Sequence, residues 1–194
     1  ELSKQKKINE NWSSFDSDKR VPYFKLKNSR GKIIGDYVTD NEKFLVINLE
    51  NNKKYKWKYD HTKENFLPSH IAVQEDVENA KELIGDDIWL NDIFSDSIFM
   101  SQSGSSFKKF QKVKVVDVKI YQNSKVDLPI WLEIDSKNDF NSYVRYNGKF
   151  RLQSRQNNYF IENPIKKSWD KTSIEKIIEG KIEYGMNYEQ VRAS

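Results

Sequence analysis

Between Val21 and Tyr59 four short runs rich in aromatic and β-branched residues follow one another: Val21–Lys27, Lys32–Val38, Lys43–Leu49 and Lys53–Tyr59. They are separated by Asn28-Ser29-Arg30-Gly31, Thr39-Asp40-Asn41-Glu42 and Glu50-Asn51-Asn52. These are residues that tolerate tight backbone geometry or bond to their own main chain, so they read as turns. The last run alternates strictly. Side chains of a strand point to opposite faces in turn, so Tyr55, Trp57 and Tyr59 share one face and Lys54, Lys56 and Lys58 the other. The pattern predicts a meander of four antiparallel strands with one apolar face.

After a connector over Asp60–Ser69 the period changes. Val73, Val77, Ala80 and Ile84 recur at helical spacing, predicting a helix over Ala72–Ile84 that Gly85 stops. Strands resume at Asp87–Asn91, Ile98–Ser101, Lys112–Tyr121 and Pro129–Asp135. In the long run Val113 and Val115 have one parity, while Val116, Val118 and Ile120 have the other. A strand cannot keep one apolar face through that switch without a bulge or a sharp bend, and strongly curved small barrels use such bends. Tyr143–Tyr146 and Lys149–Leu152 flank Asn147-Gly148, a pair suited to the two positive-φ positions of a type I′ hairpin turn.

The chain changes character again at Lys166. Thr172-Ser173-Ile174-Glu175 has the spacing of a capping box with Thr172 as N-cap, and Ile174, Ile177 and Ile178 form the stripe of a short helix ending at Gly180. Asn187-Tyr188-Glu189-Gln190 opens a second helix, which has run two turns at Ser194 and reads as cut short. Across this tail, Gly185, Met186, Gln190 and Val191 follow a helix ending in Gly and a short extended segment. That order resembles a motif of small outer-membrane assembly lipoproteins and of domains like the β-lactamase inhibitor protein. The same motif ends uncharacterised bacterial envelope proteins whose preceding part is built of small SH3-like β-barrels. The resemblance spans about 20 residues. It implies an envelope location and a binding or scaffolding role, and it carries over no catalytic residue.

Composition narrows the chemistry. The chain has 194 residues, no Cys, two His and 13% aromatics. No stretch approaches the roughly 20 apolar residues of a spanning helix. The absence of Cys excludes disulfides, thiol nucleophiles and Cys-based metal sites. The net charge is +4, and 27 of the 33 cations are Lys, a poor endowment for bidentate nucleic-acid readout. Seven scattered glycines offer no phosphate-binding loop, so no nucleotide cofactor is expected. The sequence begins at Glu1, and the polar, Lys-rich Glu1–Glu10 is what a tether after a cleaved signal or lipid anchor would look like; a cytosolic fragment would look much the same.

Few residues suggest catalysis. His61 and His70 lack the spacing of metal ligands and read as loop histidines. Ser69, His70 and Asp76 could form a triad, but no nucleophile-elbow motif accompanies them, and Ser103-Gly104-Ser105-Ser106 reads as a polar loop. Asp86 with Asp87, or Glu133 with Asp135, could act as an acid–base pair on a glycan, with solvated strand ends as the plainer reading. Arg145, Arg151 and Arg155 near Tyr146 could rim an anion site, with an exposed hairpin face as the default. Trp57, Trp89 and Trp131 sit in apolar strands and read as core. Trp12 and Trp169 lie in polar segments, where each could cover a barrel end or project into a groove; Trp169 could also be a packing staple for the helix that follows.

The expected architecture is therefore mainly β: a tether over 1–11, two small antiparallel SH3-like or half-open barrel modules over 12–70 and 71–165, the second including the linking helix, and a helical tail over 166–194. The expected function is non-enzymatic: an extracytoplasmic module of the bacterial envelope that binds a protein, peptide or glycan through aromatic contacts and strand-edge pairing. The candidate ligand-binding residues are Trp12, Tyr55, Trp57, Trp169, Lys54, Lys56 and Lys58, with no metal and no cofactor. An envelope hydrolase using a carboxylate pair is the alternative. Nucleic-acid binding is a third reading, and it requires the Lys54, Lys56 and Lys58 row to share a face with exposed rings.

Overall fold

A computed structural model describes residues 11–39, 42–59, 71–91, 99–101, 107–121, 129–135, 142–148 and 158–194. The chain divides into two compact units, whose described residues run to Ile71 in the first and from Ala72 in the second. The fold is mainly β, with one antiparallel sheet in each unit and three short helices in the second.

The first sheet contains β1 (Trp12–Ser14), β2 (Gly31–Thr39), β3 (Glu42–Leu49) and β4 (Lys54–Tyr59), in the order β1-β4-β3-β2. Three of the four predicted strands are present. The fourth is not Val21–Lys27, whose Pro22 lacks a ladder N–H; that segment holds a 3-10 turn at Tyr23–Lys25. Trp12–Ser14 takes its place, with Trp12 directly opposite Trp57. The core joins Trp12, Leu45, Ile47 and Tyr59, against which Tyr55, Trp57, Leu26 and Ile71 pack. Gly31 permits the close approach of β2 to β3: a Cβ there would lie 2.5 Å from the Asn48 carbonyl oxygen.

The second sheet has six strands: β5 (Asp87–Leu90), β6 (Phe99–Ser101), β7 (Lys112–Ile120), β8 (Ile130–Ile134), β9 (Ser142–Arg145) and β10 (Tyr159–Phe160). Their order is β10-β5-β7-β8-β9-β6. Helix α1 (Gln74–Glu82) places Val77 and Ala80 in a core with Ile88, Leu90, Val113, Val115, Leu132 and Val144. Gly85, at φ 94°, lies just beyond the helix as expected. The parity switch in β7 is resolved by a bulge: the register against β8 shifts between Val115 and Asp117. Val116 is left exposed, and Val113, Val115 and Val118 thereby reach the same core.

Neither sheet closes on itself among the described residues. The bulge that pointed to a barrel instead keeps one strand in phase with its core. At the Asn147-Gly148 turn, Gly148 has φ 70°, but Asn147 does not join it at positive φ, so the turn is not type I′. The hairpin's second arm lies outside the described residues. The Asn147 side chain serves another purpose. Its Oδ1 accepts from the Asn158 backbone N–H (2.7 Å), and its Nδ2 donates to the Tyr159 carbonyl (3.1 Å). Buried Asn158 returns a bond from its own Nδ2 to the Arg145 carbonyl (3.1 Å). Together these bonds fix the short β10, which the sequence pattern did not reveal.

In the tail, α2 (Lys171–Ile178) is capped by Asp170, not Thr172: the Asp170 carboxylate accepts from the Ser173 N–H (2.9 Å). A charged acceptor outcompetes a hydroxyl at this position, and the helix starts earlier than the capping-box reading allows. The bond also holds the Asp170 carboxyl below its ordinary range. The second box is formed as predicted. At α3 (Tyr188–Ala193), Asn187 Oδ1 accepts from Gln190 N–H (3.0 Å), and Gln190 Oε1 accepts from Asn187 N–H (2.8 Å).

Candidate functional site

The predicted alternation along β4 is kept, and it decides where the candidate residues lie. Trp12 is buried in the core of the first sheet, and the short strand it sits on docks it against Trp57. Tyr55 and Trp57 are half-buried against the same core, and Trp57 stacks on Tyr59 with centroids 6.2 Å apart. The Tyr59 hydroxyl reaches Asp36 (3.4 Å); burial first, and the Asp36 charge second, push its pKa up.

The lysines occupy the other face. Lys54 is exposed, whereas Lys56 is buried. The Lys56 ammonium lies over the rings of Phe44 (5.3 Å) and Tyr37 (6.0 Å) and pairs with Asp18. Phe15, Tyr37 and Phe44 form a chain of ring contacts on this side, at 6.2 and 5.2 Å. Lys58 pairs with Glu42. The Lys row therefore does share a face with aromatic rings, but Lys56 and Lys58 are already matched to acids and the rings are engaged with one another and with Lys56. Trp169 belongs to the second unit, half-buried in the turn that enters α2.

Of the two tryptophans of the second sheet read as core, Trp131 is fully buried and Trp89 half-buried, and both point away from the face that packs on the helix. Trp89 alternates with the buried Ile88 and Leu90, so it faces away from their core. There it is half-buried opposite Phe160, with the Lys112 ammonium 5.7 Å from its ring. Trp131 is fully buried, yet it alternates with Ile130 and Leu132 and takes the Arg145 guanidinium over its ring at 5.4 Å. Arg145 is thus a buried packing partner and not an exposed rim. Arg151 and Arg155, like His61, Ser69, His70 and the 103–106 loop, lie outside the described residues.

Of the four candidate acids, Asp87 and Glu133 are held by lysines, while Asp86 and Asp135 are exposed. Asp87 bonds to Lys112 (2.6 Å), which draws its pKa down, and Lys114 lies further off at 3.9 Å. Glu133 faces Asp117 across the ladder, and Lys119 sits between them at 2.5 Å from Asp117 and 3.3 Å from Glu133. The Lys119 hydrogen bond pulls the Asp117 pKa down, and the Lys119 pKa is raised in return. Among the described residues the carboxyl groups that move, Asp87, Asp117, Asp170 and Glu179, all move downward. A general acid at neutral pH requires the opposite shift. Among the described residues no group of three or more acids and histidines is arranged to hold a metal ion. No helix among them is long and apolar enough to cross a membrane.

The feature that sequence reasoning missed is the state of β2. It pairs with β3 on one side, and at the edge of its sheet Ile33, Ile34 and Val38 are all exposed. Its register shifts between Ile33 and Gly35. The adjacent Ile33-Ile34 pair followed by Gly35 was the signal available in the sequence, because it breaks period two. No family model, curated protein or solved structure matches this chain.

Proposed function

We propose that this chain is a non-enzymatic binding or scaffolding module of the bacterial cell envelope, located outside the cytoplasm, with two half-open, SH3-like units. It engages a protein or peptide partner by strand addition. The observation that carries this reading is the nine-residue β2 at the edge of the first sheet with three large aliphatic side chains exposed. An edge with no partner strand among the described residues offers a row of N–H and C=O groups, and exposed aliphatic residues beside it supply the apolar contacts that alternate residues of an added strand require. The ion pair that draws Asp87 down weighs against that residue as a general acid, and the ion-paired Lys56 and Lys58 weigh against nucleic acid on that face.

The test compares the parent chain with the Ile33→Lys/Val38→Lys double variant in capture from a bacterial envelope extract, with far-UV circular dichroism confirming that both fold. A partner held by the parent and lost by the variant is the expected result. Capture that is indifferent to the edge would refute strand addition. Fractionation of cells expressing the full-length native protein tests the location separately.

A further inference from the structure

The charge of this chain is unevenly placed. Residues 1–71 contain fifteen Lys and Arg against ten Asp and Glu, whereas residues 72–194 contain eighteen against nineteen. The first sheet concentrates that excess at one end, where β2 begins, β3 ends and β4 begins. The Glu50 N–H donates to the Arg30 carbonyl (3.0 Å), which sets Arg30 beside the β3–β4 turn. In that turn Leu49 N–H donates to the Lys53 carbonyl (2.9 Å). Lys32, Asn48 and Lys54 form one cross-strand row, so at the usual strand spacing Lys32 and Lys54 stand about 10 Å apart. Lys27 precedes Arg30 in a turn closed by the Ser29 N–H to the Leu26 carbonyl (3.0 Å). Lys27, Arg30, Lys32, Lys53 and Lys54 are all exposed, and among the described residues Glu50 lies in the same turn and Asp16 follows Phe15, whose N–H donates to the Lys54 carbonyl (3.1 Å). At their other ends the same strands carry Lys43 and Lys58 and run in sequence into Asp40, Glu42 and Asp60.

The geometry points to this basic end as a docking surface for an anionic lipid membrane. Cations carried on the turns and strand ends at one end of a sheet can meet a plane of headgroups together. They are four Lys and one Arg, suited to diffuse attraction to phosphate and not to a bidentate fit. The segment leading to Arg30 also carries Phe24, 71% exposed next to Lys25, the pairing of ring and amines that settles at a headgroup boundary. Single-stranded nucleic acid would need a platform of several free rings, and Tyr37 and Phe44 are already stacked on each other beneath Lys56. The inference stands on the charge distribution and does not depend on strand addition at β2.

Co-sedimentation of the whole chain with vesicles tests it, using mixed phosphatidylglycerol and phosphatidylethanolamine against phosphatidylcholine alone. A Lys or Arg near an anionic surface contributes about a fivefold gain, so Arg30→Glu/Lys53→Glu/Lys54→Glu is expected to weaken binding by about a hundredfold or more. The control Lys167→Glu/Lys171→Glu/Lys181→Glu, with the same change in net charge, stays close to the parent. Raising the salt from about 0.1 to about 1 M, which shortens the screening length from about 10 to about 3 Å, releases the parent chain. If the triple variant departs from the parent in circular dichroism, the corresponding Gln variants replace it. Failure to bind the anionic vesicles, equal weakening by the control, or displacement from the vesicles by stoichiometric oligothymidine would each overturn the proposal.

Discussion

Replacing Asn147 separates two physical roles that one residue could have. If it serves the backbone of a tight hairpin turn, Asn147→Gly is neutral, because glycine adopts positive φ more easily than any other residue. If it serves through its side chain, the same change removes the acceptor of the Asn158 N–H and the donor to the Tyr159 carbonyl. Both main-chain groups sit beside buried side chains, Asn158 at 1% and Tyr159 at 3% exposure, so water does not readily replace the lost partner. A hydrogen bond contributes about 1 kcal/mol net, and a stranded buried group loses about 1–3 kcal/mol. Two such bonds put Asn147→Gly at about 2–4 kcal/mol, and Asn147→Ala at a similar value. Asn147→Asp keeps the acceptor but turns an oxygen toward the Tyr159 carbonyl, so it recovers at most part of the loss. Urea denaturation followed by circular dichroism gives the stability. Amide hydrogen exchange at Asn158 and Phe160 shows whether β10 has come loose, since Phe160 pairs with Trp89 only while β10 is held. A glycine variant within about 0.5 kcal/mol of the parent, with exchange at β10 unchanged, would refute the side-chain role.

Burial pushes the Tyr159 phenol well above its ordinary value of 10.0. Its contribution is therefore complete below pH 10, and it declines as pH rises and the unfolded chain ionises first. That loss is up to about 1.4 kcal/mol per pH unit, and in alkaline denaturation Tyr159→Phe should be flatter by about that slope. Deleting Val116 should be mild, under about 2 kcal/mol, because a regular strand would still carry Val113, Val115 and Val118 on one face. Deleting Lys114 would turn Val113 outward and should lose about 2–3 kcal/mol or more by thermal denaturation. Lys56→Met should change stability by less than about 1 kcal/mol, since methionine keeps the packing on Phe44 and Tyr37 and leaves Asp18 79% exposed to water. Lys56→Asp, which buries an acid among those rings, should lose more than about 2 kcal/mol in the same measurement.

Much of the strand content was written locally. The alternation of Tyr55, Trp57 and Tyr59 with three lysines requires no partner to be recognised, and the parity switch at Val116 announced the bulge that β7 contains. The Asn187–Gln190 box closes within four residues and could be read from them. Trp89 could not be assigned in this way. In a strand reading Asp-Ile-Trp-Leu, both parities are nearly apolar, and only the core formed with α1 and β7 shows that Ile88 and Leu90 face inward. The same is true of Lys56, which any sequence rule places in solvent until Asp18, Tyr37 and Phe44 are brought around it from 12 to 38 residues away.

The sequence by itself determined where most strands and turns fall, because those depend on side-chain period and on the φ each residue tolerates. It also determined what chemistry is excluded, because that depends on which side chains exist at all. Tertiary structure decided the strand order, the choice of Trp12–Ser14 over Val21–Lys27, the two-residue β10 clamped by Asn147, and the exposed edge at β2. Each of those follows from a competition between distant segments for the same hydrogen-bonding edge or the same apolar face, and no local window contains both competitors.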